Sequence, residues 1–287
     1  MQDIRDGFLP LECDEIPKHI LQKAQDELGE TEFIRKKCLN ELKEKILSEK
    51  NLNCNTSTNF LLEFLRVRKF RIDSALALLK TYYKHRQKYA SLYSSYSPKQ
   101  TFKVMEENII NFLPSRNADS SAIYVARFGQ WNPETLTFED VLRFGLLCNE
   151  KALDNPVTQI CGITSIVDLK GFSWSHFTHI PLSSIRCFIS ASQDCFPIRH
   201  KAIHVINNNG IFSVLFTIIK PLVHKKMRDR IFFHGDNFSS LQQYIPADVL
   251  PTEFGGTQGT FQNEHFYSTM LDSEEEYVQR NKYGYMH

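Results

Sequence analysis

Residues 196–230, FPIRHKAIHVINNNGIFSVLFTIIKPLVHKKMRDR, decide how the rest of the chain is read. Ala202 to Ile206 is an apolar run but for His204, the pattern of a strand buried on both faces. Asn207-Asn208-Asn209-Gly210 is a turn. Ile211 to Val223 is apolar on nearly every side of a helix, with Ser213, Thr217 and Lys220 as its only polar stripe. A helix apolar all round is either buried or faces lipid, and this one is far shorter than the roughly 20 residues that span a bilayer. Basic residues bracket the unit. Arg199 and Lys201 are two apart on extended chain and share a face. Lys226 and Arg230 are four apart and share a helix face.

Working outward, strands and helices alternate from about residue 120. Ala122–Ala126 and Ile163–Leu169 read as strands, and Ile231–Phe233 as a short last one. Thr137-Phe138-Glu139-Asp140 is a capping signal opening a helix to about Leu153, and Pro181 suits the first turn of a helix to Gln193. Alternation implies crossovers and a largely parallel sheet. Upstream the grammar is helical. Ile20, Leu21, Ala24 and Leu28 repeat at helical spacing, as do Phe33, Cys38, Leu42 and Ile46. Leu61, Phe64 and Leu65 share one face, with Arg66, Arg68 and Lys69 read as a solvated basic face. Asp73 is placed to cap the next helix, on which Ala75, Leu76, Leu79 and Tyr83 form a stripe. SLYSSYSP, residues 91–98, reads as a connection between domains. The expected organisation is a helical N-terminal domain (1–95, opening on a polar lead-in over 1–15), an α/β domain (96–262) and a tail (263–287) whose acidic run Asp272–Glu276 lies at the surface.

Composition narrows the function. Apolar residues make up 42% and charged residues 23%, a globular mixture, and the net charge of +1 gives no field for nucleic acid. The seven cysteines are scattered with no C-x-x-C, which suits free thiols in a reducing cytosol. No signal-peptide pattern or membrane-spanning run stands out, so a cytoplasmic protein is expected. Phosphate-cradling glycine motifs, a G-x-S-x-G elbow and H-E-x-x-H are all missing. His176 and His179 form an H-x-x-H without a third ligand at metal spacing, and read as loop histidines. Asp168, ending a strand, is either a general base or the cap of the next turn. Ser183, Ser184, Ser190 and Ser192 have no recognisable base partner. No catalytic residue, metal or cofactor is expected. The four bracketing cations have two readings from spacing alone: convergence on a multiply charged anion such as a phosphoinositide head group, or an ordinary basic surface with Lys225 and Asp229 paired.

Motifs in a fixed order carry a resemblance: FLLEFLRVRKF (60–70), YVARFGQWNP (124–133), IVDLKGFSWSH (166–176), DCFPIRHKAIHVIN (194–207), IIKPLVHKKMRDRI with FFHG (218–235), and LPTEFGG (250–256). From about Ile16 to Gly256 the chain resembles the CRAL-TRIO lipid-transfer family, most of all its α-tocopherol transfer protein branch. The resemblance implies a helical N-terminal domain and an α/β domain with a deep apolar pocket. The helix matching Ile211–Val223 is in that family a mobile gate. The family's phosphoinositide-contacting positions match Arg199, Lys201, Lys226 and Arg230, all basic here. Its pocket positions match Leu142, Gly145, Asn149, Ile163, Val167, Trp174, Ile180, Phe188, Ala191, Ser192, Phe196, Ile198 and Ile203, with Phe212, Phe216 and Ile219 on the gate. Gly145 and Asn149 stand where the tocopherol carrier has small hydroxyl residues, and Ser192 where it has a branched apolar one. Tocopherol, retinoids, other prenyl lipids, carotenoid-like molecules, sterols and phospholipids therefore all stay open. The implied function is a non-enzymatic carrier that binds a hydrophobic lipid in a gated pocket. It would move that lipid between membranes and dwell transiently at endosomal or other phosphoinositide-bearing ones. The alternative is a membrane adaptor in vesicle traffic that binds phosphoinositide and transfers nothing. An enzyme using Asp168 is a third reading.

Overall fold

The computed structural model describes residues 16–94, 96–261 and 264–286. The lead-in over residues 1–15, and Asn263 where the tail is expected to begin, lie outside the described residues. The helical segment comprises α1 (Lys18–Leu28), α2 (Glu32–Leu47), a two-residue strand β1 (Leu52–Asn53), α3 (Thr58–Val67), α4 (Ile72–Lys88) and the short α5 (Ala90–Tyr93). Ile20, Ala24 and Leu28 bury the stripe expected of α1. On α2, Cys38, Leu42 and Ile46 are buried, but Phe33 is 73% exposed. It lies five residues before Cys38, about 140° round the helix from that stripe. Asp73 does not cap α4. Arg71 holds that position, and Asp73 sits in the first turn, paired with Lys45 at 3.0 Å.

The described residues of the stretch 91–98 are packed. Leu92, Tyr93, Tyr96 and Ser97 are buried, and the rings of Tyr82, Tyr93 and Tyr96 surround the Arg86 guanidinium at 5.6, 4.5 and 4.9 Å. Tyrosine hides an apolar body behind a polar tip, so a serine-tyrosine sequence that looks like linker can anchor a core.

After α6 (Phe102–Glu106) the α/β part is β2 (Ile110–Phe112), β3 (Ala122–Arg127), α7 (Phe138–Leu153), α8 (Pro156–Cys161), β4 (Ile163–Asp168), α9 (Trp174–Thr178), α10 (Leu182–Ser190), β5 (His200–Ile206), α11 (Gly210–Ile219), α12 (Lys225–Arg228), β6 (Ile231–Gly235) and α13 (Phe238–Leu241). The capping box at Thr137 and Asp140 is present, and α7 ends where expected. The sheet runs β2-β3-β4-β5-β6 and is parallel except for β2, a three-residue edge strand not visible as a pattern in the sequence. The tail forms α14 (Glu264–Asp272), α15 (Glu274–Arg280) and β7 (Gly284–Tyr285), and β7 pairs with β1. Its acidic residues Asp272, Glu275 and Glu276 are exposed. Its inner face buries Phe266, Met270 and Tyr277, and the Tyr277 hydroxyl donates to Leu147 O at 2.9 Å.

The two faces of the sheet differ. Ile123, Val125, Ile166 and Ile206 pack solidly against Leu241, Ile245, Val249 and Phe254. Strand alternation sends Tyr124, Ala126, Ser165, Val167, Ile203 and Val205 to the other face, which is not filled. No helix among the described residues is long and apolar enough to cross a membrane.

Candidate functional site: an apolar cavity beside a basic cleft

The unfilled sheet face is the floor of a cavity of about 190 Å³. One wall is α7, through Val141, Leu142, Gly145, Leu146 and Asn149. The other runs from Phe188 on α10, through a π-turn at Ala191–Cys195, to Phe196 and Ile198. Phe212, Phe216 and Ile219 of α11 close the top. Twelve of the sixteen expected pocket residues thus line the cavity: Leu142, Gly145, Asn149, Val167, Phe188, Ser192, Phe196, Ile198, Ile203, Phe212, Phe216 and Ile219. Four do not. Ile163 has cavity-facing parity but begins its strand, 1% exposed in the main core. Ala191 is fully buried at the start of the π-turn. Ile180 packs between two core clusters. Trp174 is 56% exposed at the outer end of α9, edge-on to Phe177. The sequence reading missed Tyr124, Ala126, Ser165, His200 and Met227. Strand parity could have supplied the first three.

The helix over the cavity, α11, is held at both ends. Asn209 caps α11, accepting from Phe212 N at 3.0 Å and donating to Phe172 O at 2.7 Å. Pro221 ends the regular helix, since it has no N–H to offer, and a 3₁₀ turn (Lys220–Leu222) follows. There the Gln193 side chain donates to Leu222 O and accepts from His224 N, both at 2.9 Å. Only Leu215 of α11 is fully buried, while Val214 and Ile218 are 44% and 40% exposed. The all-round apolar composition therefore serves two surfaces, an inner one on the cavity and an outer one in contact with solvent. Phe233 of β6, 46% exposed, continues the outer apolar band and meets Phe216 edge-on at 5.1 Å.

Beyond this 3₁₀ turn lies a cleft of about 610 Å³ lined by Arg68, Lys69, Arg199, Lys201, Lys226 and Arg230. The four expected cations share it, though not quite by the expected geometry. Lys226 is on α12, whereas Arg230 lies one residue past its C-cap Asp229, so no single helix face holds both. Arg230 reaches back to donate to His200 O. Lys201 is the extra residue of a bulge: Ile163 pairs with His200 and Thr164 with Ala202. The bulge brings His200 and Ile203, three residues apart, to the same cavity face, while Lys201 lines the cleft. Gly162, with φ 84°, lets the chain pass close, because a Cβ there would stand 2.3 Å from Arg199 O.

Arg68 and Lys69 were read as a solvated face along with Arg66. That reading fails for Arg66, whereas Arg68 is half-buried and Lys69 is exposed. Arg66 is 1% exposed and forks onto Glu30 at 2.9 and 2.8 Å and onto Gln159 at 2.6 Å. Arg68 and Lys69 line the cleft because the chain leaves α3 through two consecutive left-handed residues, Lys69 (φ 51°) and Phe70 (φ 55°). Such a conformation is costly for bulky side chains, and residues of this kind cluster at functional sites. Among the described residues, Arg68, Lys69 and Lys226 have no carboxylate partner, whereas Arg199 pairs with Glu27 at 2.6 Å and Lys201 with Asp119 at 3.6 Å. Lys225 pairs with Asp229 at 2.7 Å, as its spacing suggests. Ser192, Gln193, Phe196, Ile198, His200 and Met227 line both cavity and cleft, so the partition is about one side chain thick.

The other chemistry candidates have structural duties. Asp168 accepts from Lys170 N at 2.9 Å and Asn207 Nδ2 at 2.7 Å, holding the turn after β4. His176 is buried between Ser173 and Trp131 O, and His179 is exposed and bonded to Ser175 O. The described residues include no cluster of three metal-ligating side chains. Burial holds His200 down to about 4, outweighing the Ser192 O contact, so its imidazole is neutral. Burial pushes the Cys187 and Cys195 thiols up to about 12, away from reactivity.

Comparison with known proteins agrees with this architecture. A family profile described as "CRAL/TRIO domain" matches residues 106–256. The human protein named "Alpha-tocopherol transfer protein-like" is 32% identical over 264 residues, covering 92% of this chain and 77% of its own. Clavesin-2 of Rattus norvegicus is 31% identical over 259 residues, covering 88% and 79% respectively. The crystal structure of Sfh5 superposes with a TM-score of 0.51 at 14% identity, over 93% of this chain and 99% of that one, a likeness of fold.

Proposed function

Because this chain belongs to the CRAL/TRIO family, we propose that it is a lipid carrier. It takes a hydrophobic small molecule of tocopherol, retinoid or other prenyl type from one membrane and shields it under α11. It releases the molecule at a membrane bearing phosphoinositide. The observation that carries this reading is the continuity of lid, hinge and cleft. The helix that closes the apolar cavity runs through Gln193's clamp straight into Lys226 and Arg230. A head group drawing on those cations pulls at the segment that ends the lid.

The energetics fit reversible carriage. Apolar burial contributes about 25 cal/mol per Å² before association costs, with no covalent step. The cavity of about 190 Å³ is smaller than the roughly 300–1,000 Å³ of drug-sized sites, so loading requires α11 to move outward. When it does, Val214, Ile218 and Phe233 supply apolar surface to a bilayer. Each cation near an anionic leaflet adds about 1 kcal/mol, so six give several, enough for transient residence of a cytoplasmic protein. Differential contact with the open lid is what biases the equilibrium.

Lys226→Glu with Arg230→Glu tests this. Transfer between vesicles should slow about tenfold or more when acceptors contain phosphatidylinositol bisphosphate, and ligand binding in solution should persist. Equal transfer rates for variant and parent sink the cleft mechanism. Tight vesicle binding by the parent with no lipid moved makes it an adaptor instead.

A further inference from the structure

α11 covers the cavity, yet few hydrogen bonds tie it to the rest of the molecule. At its start Asn209 Nδ2 donates to Phe172 O at 2.7 Å. At its end Gln193 Nε2 donates to Leu222 O and Gln193 Oε1 accepts from His224 N, both at 2.9 Å. Among the described residues, every other hydrogen bond made by residues 213–229 stays within residues 209–230. The ion contact leading out, His224 to Asp194 at 3.7 Å, joins two exposed side chains and contributes little.

Leu222 O and His224 N belong to the peptide groups on either side of Val223, which is extended (ψ 129°) and 4% exposed. A carboxamide carries a donor and an acceptor side by side, so it pairs with both groups as a neighbouring strand would. A glutamate in its place would set a carboxylate oxygen against the Leu222 carbonyl. The amide is aimed by the π-turn Ala191–Cys195, against which α4 packs. Turns of this kind are frequent at functional sites. Gln193 also lines both cavity and cleft, and Lys226 follows His224 by two residues. A pull on Lys226 from the cleft is therefore felt at these two hydrogen bonds.

We propose that Gln193 is the catch that holds the C-terminal end of α11 shut, and that it sets both how fast the cavity exchanges its contents and how strongly that exchange depends on an anion in the cleft. This rests on the carrier reading and supplies its regulation. Gln193 is a positioning residue, acting through the helix. The catch stabilises the shut form whether the cavity is filled or empty. Its loss therefore speeds entry and exit alike and leaves affinity nearly unchanged. A side chain that only walls the cavity changes exit and affinity together.

The first test needs no ligand. In the full chain carrying Val223→Cys, the thiol lies under the catch, and its rate of modification by N-ethylmaleimide, read by peptide mass spectrometry, reports opening. Gln193→Leu should raise that rate about tenfold, the range of two neutral hydrogen bonds, while the buried Cys148 of α7 stays unmodified as the control for folding. Gln193→Glu keeps the shape and loses the donor to Leu222 O, so it should act likewise. An unchanged rate in both variants, or parent-like behaviour of Gln193→Glu, overturns the catch. With retinol as cavity probe in stopped-flow mixing, entry and exit should both rise about tenfold in Gln193→Leu, with Kd within about twofold of the parent. Faster exit alone, with weaker binding, makes Gln193 a wall and overturns the catch as well. Retinol transfer to phosphatidylcholine vesicles should quicken in Gln193→Leu, and its stimulation by phosphatidylinositol bisphosphate should shrink to about twofold. Stimulation at the parent's full strength overturns the coupling to the cleft. A parent that neither binds nor moves retinol counts against the carrier reading, and the thiol rates still decide the catch.

Discussion

Arg66 and Arg68 stand two residues apart in one basic motif, and their fates are opposite. Arg66, on the last turn of α3, points into the protein and meets a bidentate carboxylate on Glu30 and the Gln159 amide from α8. It ties the helical segment to the α/β part with every charge answered internally. Arg68, the C-cap of the same helix, and Lys69 after it turn into the cleft and find no carboxylate there among the described residues. The lesson is about satisfaction. A buried cation with a complete set of partners holds structure, while a cluster of cations short of anions is poised for one from outside. Charge and spacing are the same in the two cases; the difference lies in what the fold supplies opposite.

The strongest way to break that contrast is Arg66→Ala. It leaves Glu30 buried and without its main partner, so stability should fall by about 3–5 kcal/mol. Arg35, 3.7 Å from the same carboxylate, is too distant to replace the fork. Arg66→Lys should recover little, because a point charge cannot span both oxygens and Gln159. Urea denaturation followed by circular dichroism measures this. A loss under about 1 kcal/mol would put Arg66 with the surface charges, where the sequence pattern first placed it.

Next in size is the complementary change, Arg68→Gln with Lys69→Gly. Stability should stay within about 0.5 kcal/mol, since neither side chain holds a buried partner and glycine suits the left-handed φ at position 69. Affinity for vesicles containing phosphatidylinositol bisphosphate should drop by about thirtyfold, from roughly 1 kcal/mol per cation. Unchanged vesicle affinity would confine the anion site to the four cations visible from the sequence.

That division, four cations legible and two not, has a physical cause. Strand alternation and the Thr137 capping box are local, so the largely parallel sheet and the start of α7 follow from sequence pattern, whereas the cavity positions were implied by the family resemblance. Arg68 and Lys69 reach the cleft through consecutive positive-φ residues that are neither glycine nor asparagine, a conformation no propensity predicts. The Lys201 bulge and the π-turn bearing Gln193 are likewise imposed by packing, not by residue type. The burial of Tyr93 and Tyr96 was not legible because burial of tyrosine depends on what lies opposite. Trp174 differs the other way: a large aromatic at a family pocket position is 56% exposed and stands edge-on to Phe177.

The smallest effect sharpens the comparison from inside the cleft. Arg199 is intermediate between the two classes, because Glu27 of α1 occupies it at 2.6 Å while leaving it on the cleft wall. Glu27 thereby acts as a resident anion that an incoming phosphate has to displace. Burial raises its carboxyl, but the hydrogen bond from Arg199 and the charges of Lys201, Arg199 and Lys23 outweigh that and hold it below the ordinary range. Glu27→Gln should therefore strengthen phosphoinositide-vesicle binding, by about fivefold if one cation's worth of attraction is freed. For a carboxyl lowered on folding, the stabilising contribution is complete above its unfolded value and is lost as pH falls through the folded one. With the Glu27 side chain 35% exposed, solvent screening keeps that contribution small. In the same acid window Glu27 takes up a proton and releases Arg199. Parent and Glu27→Gln should then converge in vesicle affinity as pH drops and diverge again at neutrality. A constant ratio across that range, or weaker binding by the variant, would mean that Glu27 positions Arg199 for the head group instead of competing with it.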